Sequence, residues 1–234
     1  MSIAENIALI RAQMAAAAEA AGRDPKQILL CAATKMNDAD AVRQAVAAGV
    51  DCCGENRVQE LLAKKPLGAY DGKPVHFIGH LQTNKVKNVV GAVDLIHSVD
   101  RPELLEAVNR QAEKMQLVQD ILLEVNIGGE ASKSGFTPEQ AMQTASQMAR
   151  FPACRLKGLM TIPPVSRCKG DNCRYFAQMH QLFVDIIAKK YDNVFMEQLS
   201  MGMSDDFCDA IQEGATMIRV GTAIFGARNY AVQK

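Results

Sequence analysis

Three places in this sequence carry side chains whose types and spacing could do chemistry. The first is Lys35, which closes the apolar run Ile28-Leu-Leu-Cys-Ala-Ala-Thr34. An amine with an apolar stretch behind it is partly desolvated, which lowers its pKa and frees it as a nucleophile. A solvated lysine at the end of a strand fits the same spacing. The second place is a pair of glycine-bearing junctions, Leu199-Ser200-Met201-Gly202-Met203-Ser204-Asp205-Asp206 and Val220-Gly221-Thr222. Where a strand passes through glycine into a helix, unsatisfied backbone N–H groups can hold a phosphate. Ordinary capping competes, because Ser204 is a good N-cap by itself. The third is Arg219, a lone charge between Ile218 and Val220. Arginine does not neutralise on burial, so its partner should be a carboxylate or a ligand acceptor. Weaker signals accompany these. Asn56, in GENRVQE (54–60), suits a helix N-cap as well as a ligand contact. His80, Gln82 and Asn84 crowd one turn, and Glu124 and Asn126 sit in an otherwise apolar run where polar groups need partners.

The elements that must position these groups alternate along the chain. Residues 1–22 read as a helix, with Ile3, Ile7, Ile10 and Met14 at helical spacing. Strands are expected at 28–34, 50–53, 75–78, 95–99, 121–127, 156–162, 194–199 and 217–220. Helices are expected at 38–48, 57–65, 84–90, after 100, at 137–150, 173–190 and 206–213, with a short helical tail from about 223. Asp100-Arg-Pro102-Glu103 reads as an N-cap with proline near the helix start. Eight such βα units call for parallel pairing and close a (β/α)₈ TIM-type barrel. The expected organisation is therefore one α/β domain over 1–234, an N-terminal helix preceding a barrel at 28–226. In that fold the strand C-termini form the active face, and Lys35, Asn56, Ser200, Arg219, Gly221 and Thr222 all fall there.

Composition narrows the classes. With 26 basic against 26 acidic residues there is no polybasic footprint for nucleic acid or anionic membrane. The longest run without a charged residue, 74–84, spans 11 residues, against about 20 for a membrane helix. Glu5 and Arg11 break a signal-peptide pattern, so a cytoplasmic protein is expected. The seven cysteines then read as reduced thiols, and Cys168 and Cys173 lack a second ligand pair at zinc spacing. No metal is expected. A lysine, a phosphate cradle and an arginine on one rim suggest a phosphorylated carbonyl cofactor. Pyridoxal phosphate fits, since it forms a Schiff base with lysine and has a ring nitrogen that needs a partner. A lysine-dependent aldolase would share Lys35.

Ala33-Thr34-Lys35, GENRVQE (54–60), FIGHLQTNK (77–85), EVNIGGEASKSGF (124–136), GLMTI (158–162), LSMGMSDDF (199–207) and IRVGTAIFGAR (218–228) resemble the pyridoxal phosphate homeostasis protein family. Its members are cytoplasmic barrels similar to the N-terminal domain of alanine racemase, and the blocks run in family order over nearly the whole chain. The resemblance implies that Lys35 carries the cofactor as a Schiff base. It implies that Ser200, Gly221 and Thr222 contact the phosphate, assisted by the Met201 backbone, that Arg219 faces the pyridine nitrogen, and that Asn56 lies against the ring. Met36-Asn37-Asp38 departs from the pattern, where a proline is expected soon after the lysine. That leaves the shape of the first loop open.

Two functions compete on this reading. A racemase needs acid/base groups on both faces of the α-carbon. In alanine racemase the second is a tyrosine from another domain, and this sequence is expected to lack that domain. Tyr70, Tyr175 and Tyr191 are expected away from the strand ends, and Tyr230 lies in the tail. The expected function is therefore non-catalytic: a monomer that buffers pyridoxal 5'-phosphate or delivers it to apo-enzymes. A racemase working with a single base is the alternative.

Overall fold

The computed structural model describes residues 1–165 and 168–226. Helix α1 (Ile3–Ala20) precedes β1 (Leu29–Ala33), α2 (Ala39–Ala47), β2 (Cys52–Glu55), α3 (Val58–Lys64), β3 (Val75–Phe77), β4 (Leu95–Val99) and α4 (Pro102–Lys114). Then follow β5 (Gln119–Glu124), α5 (Pro138–Ser146), β6 (Cys154–Met160), α6 (Cys173–Lys189), β7 (Val194–Ser200), α7 (Phe207–Gln212), β8 (Met217–Val220) and α8 (Thr222–Phe225). The strands are parallel and in sequence order, and β8 pairs with β1 to close the barrel. No helix among the described residues is long and apolar enough to cross a membrane.

Alternation along each strand divides its side chains between two cores. Leu30, Ala32, Cys53, Ile96, Ile121, Leu123, Leu199 and Ile218 face the helices in the main hydrophobic cluster. The opposite faces fill the barrel with two small apolar clusters, one of Cys31, Ala33, Cys52, Ile78 and Met217 and one of Leu95, Leu122 and Met160. Helix α1 starts in a capping box between Ser2 and Glu5. It packs on α2, α7 and α8, beside the β1–β8 closure, with Asn6 Nδ2 donating to Ile224 O at 2.8 Å.

Several element boundaries differ from the sequence reading. The segment expected as a helix at 84–90 is a 3₁₀ run, Thr83–Asn88, whose N–H groups reach back three residues, as Lys85 N does to Gln82 O. The helix expected over 137–150 breaks after Ser146 and resumes as a 3₁₀ turn at Met148–Arg150. The tail expected from 223 is α8 as far as Phe225, and residues 227–234, with Tyr230, lie outside the described residues.

Gly158 sits where the register of β6 slips against both neighbours. Its φ is +150°, and a Cβ there would lie 1.8 Å from Gln198 O. The obstacle is backbone in a paired strand, so it cannot rotate away. Gly158→Ala is expected to cost at least about 3 kcal/mol, the range of severe backbone strain and overpacking. Urea unfolding measures this. A loss under about 1 kcal/mol would mean that β6 and β7 can part without penalty.

Candidate functional site

The sequence-predicted residues gather at the C-terminal rim. Lys35 follows Thr34 at the end of β1 and has the inward parity of Cys31 and Ala33. The loop left open by the missing proline is a tight turn. Met36 takes φ +61°, its N–H donates to Glu60 Oε2 at 2.6 Å, and Asn37 Nδ2 donates to Lys35 O at 3.0 Å.

Asn56 is not a helix cap. The N-cap of α3 is Arg57, which makes no side-chain cap bond, and Asn56 Oδ1 is buried without a hydrogen-bond partner. Gly79 fixes the Asn56 backbone, since a Cβ at residue 79 would come within 2.3 Å of Asn56 O. Asp100 does not cap α4 either. Arg101 holds that position, while Asp100 pairs with Arg101 at 2.5 Å and lies 3.1 Å from His80 Nδ1. Asn126 shapes its own loop: Oδ1 accepts from Glu130 N, and Nδ2 donates to the carbonyls of Glu130 and Lys133.

Arg219 is buried, and of the two expected kinds of partner, a carboxylate or a ligand acceptor, no carboxylate among the described residues is in contact. It donates to Ser200 O at 2.8 Å, Ser200 Oγ at 2.6 Å and Thr161 O at 2.8 Å. Burial lowers its pKa, and Cys31, Glu124 and Asp206 favour the charged form through space. Beyond Ser200 the bonds continue, from Ser200 Oγ to His97 Nδ1 at 3.1 Å and from His97 Nε2 to His76 Nδ1 at 3.0 Å. Arginine can only donate, so Ser200 Oγ accepts from it and keeps one proton and one lone pair for His97. With Ser200 donating to His97 Nδ1, His97 carries hydrogen on Nε2 and donates to His76. Burial, with His76 and Arg219 nearby, holds His97 well below the usual histidine range, and burial brings His76 to about 4. Burial thus favours neutral rings at pH 7. The sequence reading passed over His76 and His97. Each is a polar residue in an apolar strand, the same signal that drew attention to Arg219.

The two glycine junctions meet. Thr222 Oγ1 donates to Ser204 Oγ at 3.0 Å, and Ala223 N donates to the same oxygen at 3.3 Å. Ser204 is thus a bridge between loops and not the N-cap of α7, a position held by Asp206. A Cβ on Gly221 would lie 3.4 Å from Ala33 Cβ, so this cradle abuts the strand that carries Lys35. Met201 N is committed to Met217 O at 3.1 Å, and Ser200 is wholly buried beneath Arg219.

Glu124 points to the same interior. Burial, reinforced by Asp100 and opposed by Arg219, raises its pKa to about 7. The unfolded chain then ionises near 4.5 and the folded one near 7, so the folded state holds the extra proton between those values. Stability contributed by Glu124 falls as pH rises through that window. The neutral histidines act oppositely, losing stability as pH falls below about 6.5. A difference measurement isolates the carboxyl: Glu124→Gln should gain stability relative to the parent from pH 4.5 to 7 and hold the gain above. A pH-independent difference would place no titration there.

Among the cysteines, Cys31, Cys52 and His76 bring ligand atoms within 4.8 Å of one another inside the barrel. The Cys31 thiol and burial push the Cys52 thiol up, toward the protonated form that does not ligate metal. None of the seven cysteines is in a disulfide.

A closed eight-stranded barrel with a rim lysine, a buried arginine and a hydroxyl cradle after β7 and β8 defines a class. Residues 3–229 match the family described as the N-terminal domain of alanine racemase. Two curated pyridoxal phosphate homeostasis proteins are similar over full length. That of Pseudomonas aeruginosa is 42% identical over 98% of this chain and 97% of its own. That of Aquifex aeolicus is 41% identical over 98% and 100%. The structure of PipY from Synechococcus elongatus PCC7942 with PLP bound superposes with a TM-score of 0.83 at 32% identity, covering 96% of this chain and 100% of PipY. The chain belongs to the pyridoxal phosphate homeostasis protein family.

Proposed function

We propose that this protein binds pyridoxal 5'-phosphate and serves its homeostasis, buffering the cofactor or delivering it to apo-enzymes, with Lys35 holding it as a Schiff base. The names of its relatives and the PLP-bound PipY structure support the coarse reading. The observation that carries it here is the convergence of Lys35, Gly221 and the Ser204–Thr222 hydroxyl pair on one side of the rim, with the unsatisfied Asn56 Oδ1 just beyond the end of β2. Bound there, the cofactor would supply an aldehyde that bonds reversibly to amines and a ring that can accept electrons.

In this reading Ser204, Thr222 and the Gly221 backbone hold the phosphate. Asn56 lies against the ring and Arg219 faces its nitrogen. The phosphate role expected for the Ser200 hydroxyl and the Met201 backbone becomes indirect, because Ser200 Oγ holds Arg219 and Met201 N holds β8.

Arg219 keeps its proton, so it leaves a facing ring nitrogen without one and weakens the electron withdrawal that carbanion chemistry needs. The described tyrosines are engaged elsewhere. Tyr70, contrary to expectation, reaches a strand end, but its hydroxyl donates to Glu55 at 2.8 Å. Tyr175 accepts from Arg174 at 2.7 Å, and the Tyr191 hydroxyl approaches Met142 Sδ at 3.9 Å. Incubation with L-alanine in deuterated water should therefore give at most slow α-proton exchange. D-alanine formed at about 1–10³ s⁻¹ would return the protein to the racemases.

Delivery has its own test. Protein loaded with pyridoxal phosphate should activate an apo-enzyme in the presence of a phosphatase that destroys the free cofactor. Failure to activate, together with unchanged free cofactor in cells lacking the gene, would leave only a binding fold.

A further inference from the structure

Helix α3 sends two side chains, four residues apart, to the main chain on either side of Lys35. Lys64 Nζ donates to Thr34 O at 2.8 Å, to Glu55 Oε1 at 2.8 Å and to Glu60 Oε2 at 3.0 Å, which uses all three of its N–H groups. Glu55 Oε1 also accepts from Thr34 Oγ1 at 2.6 Å and from Tyr70 at 2.8 Å. Glu60 Oε2 accepts from Met36 N, the residue held at φ +61°. One ladder thus grips the carbonyl before Lys35 and the N–H after it. The Lys64 and Glu55 side chains are 8% and 0% exposed. A buried ion pair stabilises a fold little compared with apolar residues of the same volume, whereas this one restrains the backbone at a single residue.

We propose that Lys64 is a positioning residue for Lys35, acting with Glu55 and Glu60 through the backbone of Thr34 and Met36 to aim the Lys35 amine at a carbonyl carbon held in the rim. The ladder lies on the helix side of β1 and β2, the face opposite Lys35, and touches neither the phosphate cradle nor Arg219. The inference rests on Lys35 being the covalent attachment point. There the amine nitrogen forms a double bond to the aldehyde carbon and the aldehyde oxygen leaves as water, so no oxidant or reductant is involved. Rates of such condensations fall steeply when the reacting atoms are misplaced by about 1 Å.

The experiment compares two ligands on the purified full chain. Pyridoxal phosphate reads aim, through the rate at which borohydride-trappable label accumulates on Lys35. Pyridoxine phosphate, an alcohol that cannot condense, reads the phosphate and ring contacts alone. Glu55→Gln combined with Lys64→Met removes both buried charges at nearly constant volume. Glu60→Ala frees Met36 and takes away one of the three acceptors of Lys64 while leaving the Lys64–Glu55 contact in place, and Glu60→Gln retains an accepting oxygen. Trapping should slow at least tenfold in the double variant and in Glu60→Ala, and recover to within threefold in Glu60→Gln. Pyridoxine phosphate affinity should stay within twofold throughout. Trapping at the parental rate in Glu60→Ala overturns the proposal, as does a parallel loss of both ligands. If the parent itself traps nothing on Lys35, the attachment reading falls and this proposal with it.

Discussion

Replacing Lys35 with alanine should abolish covalent capture of pyridoxal phosphate and leave the fold intact. The parent protein, mixed with the cofactor and reduced with borohydride, should carry a pyridoxyl-phosphate mass on the peptide containing Lys35. The variant should carry none and lose the visible band of the adduct. Retention of the cofactor should fall at least about a hundredfold, or about 2.7 kcal/mol, because only the phosphate and ring contacts remain. Stability should change by less than about 1 kcal/mol, since Lys35 is half-buried on a turn fixed by Glu60 and Asn37 through main-chain bonds that an alanine preserves. Label found instead on Lys85 or Lys133, with the visible band unchanged in the variant, would overturn the assignment.

The barrel was legible because its signal is repeated. Eight short apolar runs alternating with helical segments admit few other topologies, and an error of two residues at the end of β2 or β6 does not alter the count. Lys35 and Arg219 were legible for a related reason, each being a charge that interrupts or closes an apolar strand. What sequence reading missed lies in pairings between distant segments. Ser204 looks like a cap for the helix that follows it, and only the approach of β7 to β8 turns it toward Thr222. For Ser200, the last residue of β7, the pairing that local sequence does not announce is the one with Arg219, beneath which strand parity sends its side chain. His97 lies 103 residues from Ser200, and no local pattern announces their contact. The same holds for Lys64, one of two adjacent helical lysines, whose neighbour Lys65 reaches instead to Ala92 O.

The two serines make the sharpest comparison between these readings. If the phosphate sits in the hydroxyl pair, removing Ser204 Oγ and Thr222 Oγ1 should each cost about 1.5–3 kcal/mol for pyridoxal phosphate, the range for hydrogen bonds to a charged group. Ser204→Ala with Thr222→Ala should then weaken the phosphorylated ligand on the order of a hundredfold or more while pyridoxal, which lacks the phosphate, changes little. Ser200→Ala should behave differently. Its hydroxyl separates Arg219 from His97, so its loss leaves a guanidinium N–H and a buried imidazole nitrogen unsatisfied at a cost of about 1–3 kcal/mol each. In the proposed arrangement that penalty falls on the ring side of the site, so stability should drop and both ligands should weaken by similar factors. Dissociation constants for the two ligands, measured on the three single variants and the double, separate the cases. A selective loss of pyridoxal phosphate in Ser200→Ala, with none in Ser204→Ala, would move the phosphate away from the hydroxyl pair and restore to Ser200 the direct contact expected from sequence.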